Sequence, residues 1–118
     1  MENKRTSGEN YEDIAVKFLQ QKNFEILFRN FHIHHGEIDI IAKNNSILVF
    51  VEVKARTNNT FGTPEESITP KKQQAIRKTA EGFLFKHREI QFKESRYDVI
   101  AIENNNGEIE IRHLIDAF

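Results

Sequence analysis

Five apolar residues follow one another without a break in the middle of the chain, Ile47-Leu48-Val49-Phe50-Val51. Successive side chains of a strand point to opposite faces, so such a run demands cover on both sides. A chain built around it has to place a sheet between layers. The surrounding stretch, Gly36 to Arg56 (GEIDIIAKNNSILVFVEVKAR), reads as two antiparallel strands, roughly 36–43 and 46–56. Asn44-Asn45 joins them, since Asn tolerates the left-handed backbone of a tight turn. The first strand presents Glu37 and Asp39, which alternation puts on one face. The second ends in Glu52-Val53-Lys54, with Glu52 and Lys54 on one face and Val53 on the other. Three acids and a lysine thus gather at the ends of two very apolar strands.

The flanks supply the covering layers. Residues 1–8 have the composition of a polar tail. From about Asn10 to Gln21, Tyr11, Ile14, Ala15, Phe18 and Leu19 form one stripe of an amphipathic helix, which Asn23 ends. Glu12 lies beside that stripe; it can reach the edge of whatever the helix covers, or stay solvated in the first turn. Phe24 to His34 alternates loosely and reads as a strand. His32, His34 and His35 follow at a turn, where an exposed hairpin end is favoured over a zinc site. Residues 57–69 are turn-rich and begin just after Lys54, which suits a substrate-contacting loop and a plain connection equally. Thr69-Pro70 opens a second helix with an apolar stripe of Ile76, Ala80, Phe83, Leu84 and His87. Arg96 to Ile102 is a short apolar strand, Asn104 to Gly107 a hairpin turn, and Glu108 to Leu114 a half-exposed edge strand. The order is α-β-β-β-α-β-β in a single domain covering 1–118.

Composition narrows the function classes. With 17 basic and 18 acidic residues the net charge is −1, so any surface for nucleic acid has to be local. The absence of Cys excludes disulfides, Cys-ligated zinc and thiol catalysis. No apolar run approaches a membrane span, and the polar N-terminus MENKRTSGEN has no signal-peptide core. A soluble, cytoplasmic protein is expected, with no membrane partner.

The central cluster carries the chemistry. Mg²⁺ and Mn²⁺ take oxygen ligands, a few carboxylates completed by phosphate and water. Asp39 and Glu52 on neighbouring strands can converge on one such ion, with the backbone carbonyl of Val53 as a further ligand. Lys54, on the face of Glu52, can touch both the attacking water and the developing phosphorane charge. The competing reading is an ion-pair network at a sheet end, worth little stability. Spacing alone leaves the two readings level.

The same residues carry a family resemblance. Glu12, Gly36-Glu37-Ile38-Asp39, Val49-Phe50-Val51-Glu52-Val53-Lys54 with Arg56, Phe61-Gly62, Thr69-Pro70-Lys71-Lys72 and Tyr97-Asp98-Val99 resemble the YraN-type family of bacterial proteins. That family is similar in turn to the restriction-endonuclease-like, PD-(D/E)XK nuclease superfamily, and especially to archaeal Holliday-junction resolvases. The resemblance implies an α/β core with a mixed β-sheet flanked by helices. It implies Asp39 and Glu52 as ligands of Mg²⁺ or Mn²⁺, Lys54 as the catalytic lysine, Glu12 as an acid brought to the metal or its water, and Glu37 as a supporting neighbour. Ile38 stands where the superfamily's name has Pro.

Three functions follow. The first is a metal-dependent endonuclease acting on DNA, in preference to RNA, during repair or recombination. Lys71, Lys72, Arg77 and Lys78, joined by Arg56 and Gln73, would hold backbone phosphates. Cutting two strands would call for a homodimer, with the edge strand Ile109 to Leu114 and the tail Leu114 to Phe118 as candidate contacts, unless the tail closes the protein's own core. The second is a non-catalytic nucleic-acid-binding or adaptor module that keeps the fold. The third is a protein-interaction domain with no nucleic acid involved.

Overall fold

The structure, a computed structural model, describes residues 7–34, 36–58 and 62–118, with side chains from Tyr11 onward. The elements are α1 (Ser7–Gln21), β1 (Glu25–Ile33), β2 (Gly36–Asn44), β3 (Ile47–Thr57), a 3₁₀ turn (Pro64–Ser67), α2 (Pro70–Lys86), β4 (Glu94–Asn105) and β5 (Glu108–Leu114). Their order is the expected one, with the 3₁₀ turn added inside the long connection. The helix starts at Ser7, so Ser7 and Gly8 are helical rather than part of a tail; residues 1–6 lie outside the described residues. Apolar periodicity marks only where a helix is buried, and a polar first turn leaves no trace in it.

The five strands lie in the order β1-β2-β3-β4-β5. All neighbours are antiparallel except β3 and β4, which run parallel from Ile47↔Glu94 to Thr57↔Asn104. A parallel pair needs a crossover, and α2 supplies it. Helix α1 covers one face with Ala15 and Leu19 over Ile40, Val49, Val51, Ile100 and Ile102. Helix α2 covers the other with Ile76, Ala80 and Phe83 over Ile38, Ile41, Leu48 and Phe50. The apolar run of β3 is therefore shared alternately between the two layers, and Leu48 to Val51 are all buried.

Local chemistry fixes the joints. Thr69 caps α2 by accepting the Lys72 N–H at 3.2 Å, with Pro70 in the first turn. Asn23, Asn45 and Asn106 turn the chain with φ of 69°, 57° and 56°. Gly36 lets α2 approach the β1–β2 end closely, because a Cβ there would run into the Thr79 hydroxyl.

The C-terminal residues close the protein's own core. Ala117 N–H donates to the Tyr97 carbonyl at 2.7 Å, and the Phe118 ring stacks on Tyr97 at 5.2 Å. Beneath them Asp98, fully buried, accepts from Arg96 Nε at 2.9 Å and from the Asp116 N–H at 2.9 Å, and lies 2.7 Å from His113 Nε2. Burial pushes the Asp98 carboxyl up, but the hydrogen bonds from His113, Arg96 and Asp116 outweigh it and hold the group below its ordinary value.

Candidate active site

The β2–β3 ladder runs from Asn44↔Ile47 to Ile40↔Val51 and stops there. One residue further, the Asp39 side chain takes over. Its Oδ2 accepts the Val53 N–H at 2.8 Å, so a carboxylate stands where a backbone carbonyl would continue the ladder. Alternation breaks at the same residue: Ile38 packs toward α2 and Ile40 toward α1. Simple alternation, which put Glu37 and Asp39 on one face, therefore fails here, because the strand turns over between its two flanking isoleucines.

The neighbouring strand is irregular at the same level. Asn30 stands between the pairs Arg29↔Ile40 and Phe31↔Ile38, opposite Asp39, and has a left-handed φ of 54°. Its side-chain amide donates to Glu12 Oε1 at 3.1 Å, and Arg29 Nη2 donates to the same oxygen at 3.1 Å and to Asp13 Oδ1 at 2.8 Å. Glu12 is consequently buried at 8 % exposure. The solvated first-turn acid is not what forms; α1 delivers Glu12 to the break in the sheet.

Glu52 and Lys54 approach from β3. Lys54 Nζ lies 4.0 Å from Glu52 Oε2, while Glu52 Oε1 is buried with no hydrogen-bond partner. Burial, then repulsion by Asp39, pushes the Glu52 carboxyl up to about 8 against the pull of Lys54. Burial likewise raises Asp39 to about 6, opposed by the Val53 N–H and reinforced by Glu12 and Glu37. Glu37 itself is half exposed and faces His32 Nε2 at 3.5 Å. Two neighbouring half-buried carboxyl groups, one with a buried oxygen that no donor satisfies, form a site that favours a cation. Oxygen donors of this kind suit Mg²⁺ or Mn²⁺. Among the described residues, no three acids or imidazoles already stand as a ready-made metal cluster.

A family model described as "Uncharacterised protein family UPF0102" matches residues 11–102. The chain belongs to the UPF0102 family. A UPF0102 protein of Geotalea daltonii is 48 % identical over 115 residues, covering 97 % of this chain and 90 % of that one. One of Persephonella marina is 46 % identical over 111 residues, covering 94 % and 91 %. One of Flavobacterium johnsoniae is 40 % identical over 110 residues, covering 91 % and 89 %. The matched span takes in every acid and lysine of the central cluster.

The cations and the one amide expected to face nucleic acid in this UPF0102 chain separate into groups. Lys71 and Lys78 lie on the exposed side of α2. Lys72 is near enough to Glu52 to oppose the rise of its carboxyl. Gln73 turns back, its amide donating to the Ile68 carbonyl at 3.4 Å, and the Arg77 guanidinium sits 4.8 Å from the centre of the Tyr97 ring. Arg56 follows Lys54 on the same strand face, with a buried Nε that has no partner. Nearby, Arg112 ties Glu65 of the 3₁₀ turn, at 3.1 Å, to Glu103 of β4, at 2.7 Å. His32 and His34 sit at the hairpin end as expected; His35 and Phe61 lie outside the described residues. Sequence reasoning missed Arg29 and Asn30. The one signal for them was an Asn inside a strand, a residue strands disfavour.

Among the described residues, no helix is long and apolar enough to cross a membrane.

Proposed function

We propose that this protein is a metal-dependent nuclease that hydrolyses DNA phosphodiester bonds at the centre formed by Asp39, Glu52 and Lys54. The observation that carries the reading is the buried, unpartnered Oε1 of Glu52 beside the Asp39 carboxyl and the Lys54 ammonium. Asp39 and Glu52 would hold the ion, with the Val53 carbonyl available beside them and Glu12 acting directly or through water. A bound Mg²⁺ or Mn²⁺ would supply Lewis-acid polarisation of the phosphate and a more acidic water. The chain's own residues do the rest. The Val53 N–H fixes the rotation of the Asp39 carboxylate. Arg29 and Asn30 hold Glu12 against the sheet. Lys54 places a positive charge where the pentacovalent phosphate gains negative charge. Cutting both strands of a duplex would take two copies related by symmetry.

A second reading, a nucleic-acid-binding module without catalysis, draws on the lack of a ready-made three-ligand cluster among the described residues. One experiment separates them. Labelled duplex, single-stranded, flap and four-way-junction DNA are incubated with Mg²⁺ or Mn²⁺, with a Glu52→Ala/Lys54→Ala protein in parallel. Metal-dependent cutting that the double variant lacks supports the nuclease. Binding by both proteins with no cutting under either metal supports the module.

A further inference from the structure

A cavity of about 610 Å³ opens between α2 and the β1–β2 end of the sheet. Ile33, Gly36 and Ala75 give it an apolar floor, while Lys71, Gln74 and Lys78, with His34 and Thr79, make up its polar lining. Among the described residues, no carboxylate lines it. Among the described residues, neither lysine is engaged in an ion pair.

We propose that this cavity receives one unpaired nucleotide of a DNA strand, next to the phosphate to be cut; its placement beside a reacting phosphate rests on the nuclease reading above. Charge is the first reason. Two uncompensated ammonium groups seven residues apart on one helix, two turns, suit the phosphates on either side of a nucleotide. Shape is the second. A duplex offers its phosphates on a convex surface and keeps its bases stacked inside, so it gains nothing from a hollow. An apolar floor with a polar rim suits something flat and apolar with a charged backbone, which is what an unpaired base presents. The Gln74 amide can both donate to and accept from a base edge. The volume lies within the range of sites for small organic ligands. Position is the third reason. Gly36 in the floor immediately precedes Glu37 of the acidic cluster, and Lys72, the neighbour of Lys71, acts on Glu52.

The test is fluorescence anisotropy in EDTA, where no cutting can occur. The probes are a labelled single strand, its blunt duplex, and the same strand carrying a run of abasic sites. The single strand is expected to bind about tenfold more tightly than the duplex, and the abasic strand to lose about that factor. Ala75→Phe, which fills the cavity from an exposed helix position, should weaken single-strand binding and leave duplex binding unchanged. Thermal melting checks that the variant is folded, and the abasic comparison needs no variant. Equal or tighter binding of the duplex, or an abasic strand held as well as the normal one, overturns the proposal. Because the assay contains no metal, a protein that prefers single strands but never cuts would sink the nuclease reading alone. One that cuts yet prefers duplex in EDTA would sink this one alone.

Discussion

At the scale of single residues, Glu52 sets the pH behaviour of the metal-free protein. Its ordinary value is 4.5, and in the fold it rises to about 8. A carboxyl raised by folding binds more protons in the native than in the unfolded state, so stability falls as pH rises through that window. Asp39, raised from 3.8 to about 6, adds to the acid side of the same slope. Melting of the metal-free protein is therefore expected to weaken from about pH 5 to about pH 8. Glu52→Gln should flatten most of that loss and raise the midpoint at the alkaline end. Mn²⁺ should stabilise more at the alkaline end than at the acid end, and Asp39→Asn should remove the Mn²⁺ effect. A wild-type midpoint that climbs with pH over this range would contradict the buried, uncompensated carboxyl.

Asn30 makes a second residue-level case. Its left-handed backbone is tolerable for Asn and strained for Ala. Asn30→Ala is expected to cost about 1–2 kcal/mol from the backbone alone, plus the bond to Glu12. Asn30→Gly relieves the backbone but leaves Glu12 held by Arg29 alone, so it should fold well and lose part of its metal affinity. Urea unfolding and a metal titration on both variants separate the two contributions; equal metal affinity in Asn30→Gly and wild type would show that Glu12 needs no such anchor.

At the scale of elements, the close packing of α2 on the β1–β2 end rests on Gly36. A methyl group there would meet the Thr79 hydroxyl, which itself donates to the Ala75 carbonyl at 2.9 Å. Gly36→Ala is expected to destabilise by about 1–3 kcal/mol. Adding Thr79→Ala should recover only part, because the residue-79 Cβ would still lie 3.2 Å from the new methyl. Full recovery in chemical denaturation would mean that the hydroxyl alone set the spacing.

The elements were legible because their signals are local. Tyr11 to Leu19 gave the stripe of α1, Thr69-Pro70 the start of α2, and Asn106-Gly107 the last hairpin. The centre was legible in part. Asp39, Glu52 and Lys54 could be gathered from two adjoining strands, but alternation assumes an unbroken ladder. The ladder breaks where the Asp39 carboxylate replaces a carbonyl, and nothing in a period-two pattern marks that substitution. The division of the polar side chains of α2 was hidden for another reason. Gln73 and Arg77 are drawn away by Ile68 and Tyr97, partners five and twenty residues distant in sequence.

At the scale of the whole molecule, the sheet has a single parallel junction, β3 against β4. Before it in sequence come α1, β1, β2 and β3; after it come α2, which packs back over Ile38, Ile41, Leu48 and Phe50, and the hairpin β4–β5. Each part is continuous in sequence. The first holds Glu12, Asp39, Glu52 and Lys54, and the second holds Lys71 and Lys78. Such a chain lends itself to being made as two polypeptides, divided between Asn58 and Pro64. Alone, the first piece would leave the β4-facing edge of β3 unpaired and aggregate. Mixed, the two are expected to recover native circular dichroism and elute as one species. The protein would then be a complementation pair, in which Glu12, Asp39, Glu52 and Lys54 of one piece meet Lys71 and Lys78 of the other only on reassembly.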